Sequence, residues 1–381
     1  MTNTMIIENA RIVLADSMIE SGYIVIDNGV IAEVGEGRAP ERGQDFGGDL
    51  LLPGLVELHT DHIEAHVTPR PKVQWDPVAA VLSYDAQIAT SGITTVLDSL
   101  RVWREEGTGE EDGQAAALSS AIDSARKAGL LRVEHFLHLR CEVPMPKVVE
   151  DTADLIGRPE VRLLSLMDHT PGQRQFSDPE KLREYYRGKS GSNDSELDEM
   201  FARRVAQHAQ FAAGNYAGLI ELAAKHGTPL ASHDDTTATH VEEAVRDNVA
   251  IAEFPTTVGA AAALHAAGIK VMMGAPNLVR GGSHSGNVAT AELARAGMLD
   301  LMSSDYVPSS LLMAALRLPF ESDKYDLPAA VRTVSKTAAQ AIGLTDRGEI
   351  AVGKRADVIQ VHQAGEAVAV RGVWSGGRRV A

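Results

Sequence analysis

The sequence predicts an α/β protein in which a (β/α)8 TIM barrel is joined to a small β-sandwich built from both ends of the chain. Three observations favour this fold. Short apolar runs alternate with helical stretches between residues 52 and 349, as in a parallel barrel. The two ends read as short strands with alternating polar and apolar positions. Histidines and carboxylates close several apolar runs, where barrel strands reach an active-site face.

The terminal strands are predicted from period-two alternation of polar and apolar residues. Asp27-Asn28-Gly29 is typical of a hairpin turn between two such strands. The segments with strand character are 6–16, 21–35, 348–350, 357–361 and 367–370. We expect residues 1–51 and 350–381 to form one sandwich domain beside a barrel domain of residues 52–349.

Eight apolar runs are predicted to be the barrel strands. They are Leu55–Asp61, Ile93–Leu100, Val133–Val143, Val161–His169, Pro229–Asp234, Ile251–Thr256, Ile269–Pro276 and Leu301–Tyr306. The insertion at residues 171–227 is unusually long for a connection between strand and helix. Such a segment serves equally often as a substrate lid and as a solvated structural insertion, and both interpretations stay open.

Composition and charge exclude several classes of function. No run of about 18 apolar residues occurs, so no membrane span is expected, and the first residues lack a signal-peptide pattern. The single cysteine, Cys141, excludes an internal disulfide and suits a reducing cytoplasm. The net charge of −16 argues against nucleic-acid binding but allows an anionic small substrate held by arginines in a cleft. A homo-oligomer is left open.

Candidate metal ligands stand at the ends of the predicted strands. His59 and Asp61 are two residues apart, so on a strand they point the same way and offer a metal an imidazole and a carboxylate. Taken alone, a core histidine and a helix-capping aspartate explain this pair equally well. His169, His233 and Asp305 close three other apolar runs, which favours ligation, although Asp305 would also suit a helix cap.

Polar residues occupy alternate positions of the third predicted strand, so they share one face of it. His138, Arg140 and Glu142 would point into the barrel, which is costly unless they pair or bind something. Glu142, nearest the strand end, is the candidate to bridge two metal ions. Arg140 would pair with a carboxylate or a substrate anion, and His138 would orient a ligand. His135 lies on the other face of this strand, away from the barrel interior, and is interpreted as structural.

A Gly-rich element at residues 276–287 follows the seventh predicted strand, where barrels often bind phosphate. Arg280, Ser283, His284 and Ser285 favour a phosphate loop over a plain flexible loop. The element lacks the G-x-S-x-G pattern, which disfavours a serine hydrolase.

The chain resembles the amidohydrolase superfamily through LLPGLVELH near the first barrel strand and DRGEIAVGKRADVIQV near the C-terminus. The segments HTDHIEAHVTPRP, HLRCE, SLMDHTPGQRQF, SHDD and PNLVRGGSHSGN resemble a branch associated with the carbon–phosphorus lyase route of phosphonate metabolism. Two features depart from the superfamily. His59-Thr60-Asp61 replaces the usual His-x-His, and the fourth strand lacks the usual carboxylated lysine, a role that Glu142 would take. His62 stands where the branch often has asparagine.

The resemblance implies a metal-dependent hydrolase that releases diphosphate from α-D-ribose 1-methylphosphonate 5-triphosphate. One or two divalent ions would activate water, zinc being favoured over manganese, iron or nickel. The implied ligands are His59, Asp61, Glu142, His169, His233 and Asp305. Asp305 and His233 would be catalytic, with Asp305 accepting the proton of the attacking water. The implied substrate-binding residues are Arg70, Lys72, Arg140, Arg174, Arg280, Ser283, His284 and Ser285.

Two alternatives remain from the residues alone. The same metal centre could hydrolyse a cyclic amide or N-acyl bond, because activated water attacks carbonyl and phosphoryl centres alike. The inward arginines favour phosphoryl transfer. A barrel without catalytic function is the second alternative, and the complete set of strand-end ligands argues against it.

Overall fold

A computed structural model describes residues 4–70, 73–103, 114–174, 182–183, 187, 193–283, 285–365 and 367–381. Both ends of the chain contribute to one sheet, which is mostly antiparallel. Its strands are β1 (Thr4–Val13), β2 (Met18–Asp27), β3 (Val30–Glu36), β4 (Gln44–Asp45), β5 (Leu50–Pro53), β14 (Val358–Ala364), β15 (Ala367–Ser375) and β16 (Arg378–Arg379). They lie in the order β16-β15-β14-β5-β1-β2-β3, with β4 beside β1.

The predicted hairpin turn joins β2 to β3. Asn28 and Gly29 have φ values of 50° and 82°, the left-handed pair that a two-residue turn of this type requires. A side chain at Gly29 would also meet the carbonyl of Gly376, 2.7 Å from the position of its Cβ. The sheet has its own core, in which Phe46 and Trp374 pack with ring centroids 5.6 Å apart. The exact domain boundaries at residues 51 and 350 stay predictions.

The barrel contains eight parallel strands in sequential order, which confirms the predicted fold. They are β6 (Leu55–Thr60), β7 (Ile93–Arg101), β8 (Glu134–Glu142), β9 (Val161–Met167), β10 (Leu230–His233), β11 (Ile251–Glu253), β12 (Lys270–Gly274) and β13 (Leu301–Ser303). A bridge between Thr60 and Asp305 closes the ring, where the amide of Asp305 donates to the carbonyl of His59 at 3.1 Å. All eight strands predicted from the apolar runs are present.

Helices surround the barrel and bury their apolar sides against it. They are α1 (Ile63–Val67), α2 (Pro77–Thr90), α3 (Gln114–Lys127), α4 (Val148–Ile156), α5 (Asp194–His226), α6 (Ala238–Arg246), α7 (Val258–Ala266), α8 (Ala275–Arg280), α9 (Thr290–Ala296), α10 (Ser310–Glu321), α11 (Leu327–Arg332) and α12 (Lys336–Ala341).

The long insertion contains α5, a helix of 33 residues. Asn193 and Glu196 form a reciprocal capping box at its start, and Gly227, at φ 65°, ends it in the left-handed conformation. The helix thus accounts for the charged, amphipathic part of the predicted insertion. Among the described residues, no helix combines the length and the apolar character that crossing a membrane requires.

Candidate metal-dependent active site

A polar cavity of about 360 Å³ lies at the carboxyl ends of the barrel strands. Many of its lining residues can bind a metal or an anion. They are His59, Asp61, Arg140, His169, His233, Asp234, Asn277, Arg280, Ser283, Ser285, Asn287 and Asp305. This is the face on which barrel enzymes carry out chemistry. The structure therefore brings together five of the six predicted metal ligands around one cavity.

Three residues form an outer cluster with the geometry of a metal site: His169, His233 and Asp234. Their ligand atoms lie within 4.8 Å of one another. Asp234 Oδ2 is 3.4 Å from His233 Nε2 and 3.9 Å from His169 Nε2, and it is buried with no hydrogen-bond partner among the described residues. Burial raises the pKa of Asp234 to about 7. A buried carboxylate oxygen left unpaired beside two imidazoles fits a divalent cation.

Each histidine of the outer cluster is oriented by a carboxylate on its other nitrogen. His169 donates from Nδ1 to Glu142 Oε2 at 2.6 Å, and its backbone amide donates to Glu142 Oε1 at 2.6 Å. Burial raises the pKa of Glu142, but His169 more than offsets this and holds it at about 2. Donation from Nδ1 leaves Nε2 as the lone-pair nitrogen that faces Asp234. Glu142 thus orients His169, and its predicted bridging of two ions stays a prediction.

An inner cluster lies beneath, formed by His59, His138 and Glu253. Glu253 accepts from His59 Nδ1 with one oxygen and from His233 Nδ1 with the other, both at 3.0 Å. Burial raises the pKa of Glu253, yet the neighbouring histidines outweigh it and hold that pKa well below its usual range. One buried carboxylate therefore sets the orientation of a histidine in each cluster.

Within the inner cluster, both nitrogens of His138 face protein groups. His138 Nδ1 donates to the carbonyl of Leu58 at 3.0 Å, and its Nε2 lies 2.7 Å from Ser165 Oγ. Ser165 in turn donates to Glu253. Ser165 thus lies between His138 and Glu253, whereas Asp234 Oδ2 of the outer cluster has no partner among the described residues, so the outer cluster is the better ion site. The supporting role that the sequence predicts for His138 agrees with this geometry.

Asp61, Arg140 and Asp305 occupy another side of the cavity. Arg140 Nη1 donates to Asp61 Oδ2 at 2.9 Å. Burial raises the pKa of Asp61, but Arg140 and His59 leave it lowered overall. Burial, together with the negative charge of Asp61, raises the pKa of Asp305 to about 6. Asp305 is thus a carboxylate at neutral pH with an increased affinity for a proton, which suits a general base.

The predicted phosphate-binding residues divide into four groups. Arg280, Ser283 and Ser285 line the cavity together with Arg140 and the candidate metal ligands. Arg174 lies beside it instead, where it donates to Asp235 Oδ1 at 2.7 Å and to the carbonyl of His233 at 2.9 Å. Arg70 is exposed and does not line the cavity. Lys72 and His284 lie outside the described residues.

Sequence reasoning missed Asp234, Glu253 and the two cavity amides of Asn277 and Asn287. Asp234 follows His233 directly, and the acidic pair in Ser232-His233-Asp234-Asp235 was the available signal. Glu253 is a charged residue inside an apolar run, which is costly in a barrel unless it is paired. Neither asparagine had a local signal beyond its place in the Gly-rich element.

Known proteins with similar sequences and folds are amidohydrolases and related enzymes. The amidohydrolase family model matches residues 85–381. The chain is 45% identical to α-D-ribose 1-methylphosphonate 5-triphosphate diphosphatase of Escherichia coli (strain K12), over 99% of this chain and 100% of that protein. It is 25% identical to imidazolonepropionase of Paracoccus denitrificans, over 90% of this chain and 88% of that one.

Two solved structures share the fold at low sequence identity. N-isopropylammelide isopropylaminohydrolase of Burkholderia multivorans aligns with a TM-score of 0.65 and 18% identity, over 99% of this chain and 97% of that one. N-acetyl-D-glucosamine-6-phosphate deacetylase of Mycobacterium smegmatis, as a mutant, aligns with a TM-score of 0.65 and 15% identity, over 99% of both chains. The family model over residues 85–381 and the 45% identity along the whole chain show that the chain belongs to the amidohydrolase family.

Proposed function

We propose that this protein is a metal-dependent diphosphatase that cleaves α-D-ribose 1-methylphosphonate 5-triphosphate and releases diphosphate in phosphonate catabolism. The observation that carries the proposal is the 45% identity, along the whole length of both chains, to the E. coli enzyme of that name. The cavity supports it, since groups that can bind a metal line it together with arginines and several hydroxyl and amide groups, in a volume of about 360 Å³.

We propose that the outer cluster (His169, His233 and Asp234) holds a divalent ion. His59 and Asp61 line the same cavity and would serve a second ion. Mixed imidazole and carboxylate ligands suit zinc, with manganese, iron and nickel as alternatives. A bound ion would supply Lewis acidity, polarising a phosphoryl oxygen and making water more acidic.

The residues of the chain would position the substrate and move the proton. Asp305 accepts the proton of the attacking water, because at neutral pH it is a carboxylate with a raised pKa. Arg280 and the hydroxyls of Ser283 and Ser285, which line the same cavity, hold phosphate oxygens. Arg140, held by Asp61, places a second guanidinium in the cavity, where it can stabilise charge on the leaving diphosphate.

Phosphorus NMR of the metal-loaded protein with the ribose 1-methylphosphonate 5-triphosphate tests the proposal. Diphosphate and a sugar 5-phosphate are the expected products. Release of orthophosphate would contradict the cleavage position. No turnover, together with rapid cleavage of a cyclic amide or N-acyl compound, would favour the alternative amidohydrolase activity. A variant with Arg280→Gln serves as an internal control, since it removes a phosphate contact and leaves the metal ligands intact.

We also infer a cytoplasmic protein acting on a small molecule. The single cysteine, Cys141, is buried and reduced, which suits a reducing compartment. The strongly negative overall charge is unsuited to nucleic-acid binding. Assembly into a homo-oligomer stays a prediction, which light scattering of the purified protein would test.

A further inference from the structure

A second cavity, of about 560 Å³, lies at the opposite end of the barrel from the metal ligands. It is lined by the first residues of β8 and β9, by the end of α3 and by residues of the terminal sheet. We call it the floor cavity. Its lining includes five arginines, Arg126, Arg132, Arg162, Arg355 and Arg378. This concentration of positive charge is unexpected in a chain whose net charge is −16.

Only two carboxylates line the floor cavity, and both are already engaged. Glu134 Oε2 pairs with Arg355 and, at 2.6 Å, with the buried Arg347. Glu160 pairs with Arg126 at 3.1 Å. Three of the five lining arginines have carboxylate partners, because Asp123 also pairs with Arg126, Asp357 pairs with Arg355 and Asp85 lies 3.9 Å from Arg132. The low-dielectric walls of a cavity strengthen the charge of the arginines that remain unpaired, even on a negative protein.

Two of the guanidinium groups have no carboxylate partner among the described residues. Arg162, from the start of β9, lies 5.1 Å above the ring of Phe136, and its buried Nε has no hydrogen-bond partner among those residues. Arg378, in the terminal sheet, donates only to the carbonyls of Leu131 and Arg132, at 3.1 and 3.2 Å. Stacking on an aromatic ring holds the Arg162 guanidinium while leaving donors for a ligand.

We propose that the floor cavity binds a small phosphorylated molecule, with its phosphate group held between Arg162 and Arg378. Phosphate oxygens accept paired hydrogen bonds from guanidinium groups, and the dianion would balance the positive charge of these two unpaired arginines. The cavity is larger than the active-site cavity, so it can hold a sugar phosphate. Because one arginine belongs to the barrel and the other to the terminal sheet, the ligand would also tie these two parts together.

Calorimetric titration of the metal-loaded protein with ribose 5-phosphate tests this site. We expect a binding event that the double variant Arg162→Gln with Arg378→Gln loses or weakens at least tenfold. Neither residue lies near the metal ligands, so the variant should keep its metal and its hydrolytic activity. Arg280→Gln, on the opposite face, should leave this event unchanged, which separates it from binding in the active site.

Two further readouts decide the outcome. Neutral ribose should not bind, and added salt should weaken the binding of ribose 5-phosphate. Ribose 5-phosphate should raise the melting temperature of the native protein and should not raise that of the folded double variant. The proposal is overturned if the double variant binds ribose 5-phosphate as the native protein does, or if Arg280→Gln alone abolishes all binding.

Discussion

Glu253→Gln should weaken metal binding although Glu253 lies below the cavity. Its two oxygens accept from His59 Nδ1 and His233 Nδ1, each at 3.0 Å. A glutamine offers one acceptor and one donor, so one imidazole would face an N–H group in place of an oxygen. That ring must then rotate or change tautomer, which removes its Nε2 lone pair from the cavity. Loss of such an orienting partner costs about 10- to 100-fold in metal affinity, or about 1.4–2.7 kcal/mol.

Competition with a chelator, followed by elemental analysis, would measure this affinity. Glu57→Gln is the matched control, because Glu57 is another fully buried glutamate of the barrel. It accepts from the backbone amides of His59 and Ser304, at 2.7 and 2.6 Å. Glutamine therefore removes one of two acceptors here as well, but the donors at Glu57 are backbone amides and not imidazoles. Native affinity in Glu253→Gln would refute the reasoning. An equal loss in both variants would show that the core is disturbed and that orientation is not the cause.

Three other predictions follow from single residues. Asp234→Asn should abolish metal uptake by the outer cluster, which elemental analysis would measure. The metal-free variant should melt no lower than the native protein, because the variant has no buried carboxyl with a pKa of about 7 to ionise. Arg280→Gln should lower kcat/KM for the triphosphate by about 10- to 100-fold with unchanged metal content, and an unchanged kcat/KM would exclude a phosphate contact. Burial lowers the pKa of His135, but Asp98 and Asp85 outweigh it and raise that pKa from 6.5 to about 9. The pairing of protonated His135 with Asp98 and Asp85 should therefore contribute about 3 kcal/mol to the free energy of unfolding below pH 6.5. This contribution should disappear as the pH rises through 9. Denaturant unfolding at several pH values measures it, and a His135→Gln variant with the same pH slope would contradict the assignment.

The sequence predicts the barrel well because each barrel strand is a short apolar run that ends at a polar residue. His169 and His233 could be found for the same reason, since each stands at the end of such a run. The role of Glu253 was harder to predict, because β11 is only three residues long and is too short to show an alternation of polar and apolar residues. The direction of a side chain after the last strand residue depends on the backbone turn there, which a local pattern does not specify.

Pairing between distant residues also lies beyond a local pattern. Arg174 was predicted to hold substrate phosphate, yet its guanidinium meets Asp235, 61 positions further along the chain. Asp61 was predicted as a metal ligand, and the structure pairs it with Arg140 from another strand. Asp61 lines the cavity and Arg174 lies beside it, while their roles stay predictions. Their partners follow from strand order, which the sequence does not state.

Asp234, Phe254 and Asp305 each follow a barrel strand closely and have φ values of 56°, 56° and 53°. The left-handed conformation costs an ordinary side chain roughly 1–2 kcal/mol, but asparagine and aspartate tolerate it best. Replacing either aspartate by alanine would therefore alter the backbone turn as well as the charge. Asparagine keeps the shape and the turn while removing the charge, so it is the cleaner probe at both positions. For Phe254, glycine would relax the backbone and lose the ring that packs against His59 and His233. Attempts to stabilise the protein by relaxing these turns would thus act directly on the histidines of the cavity.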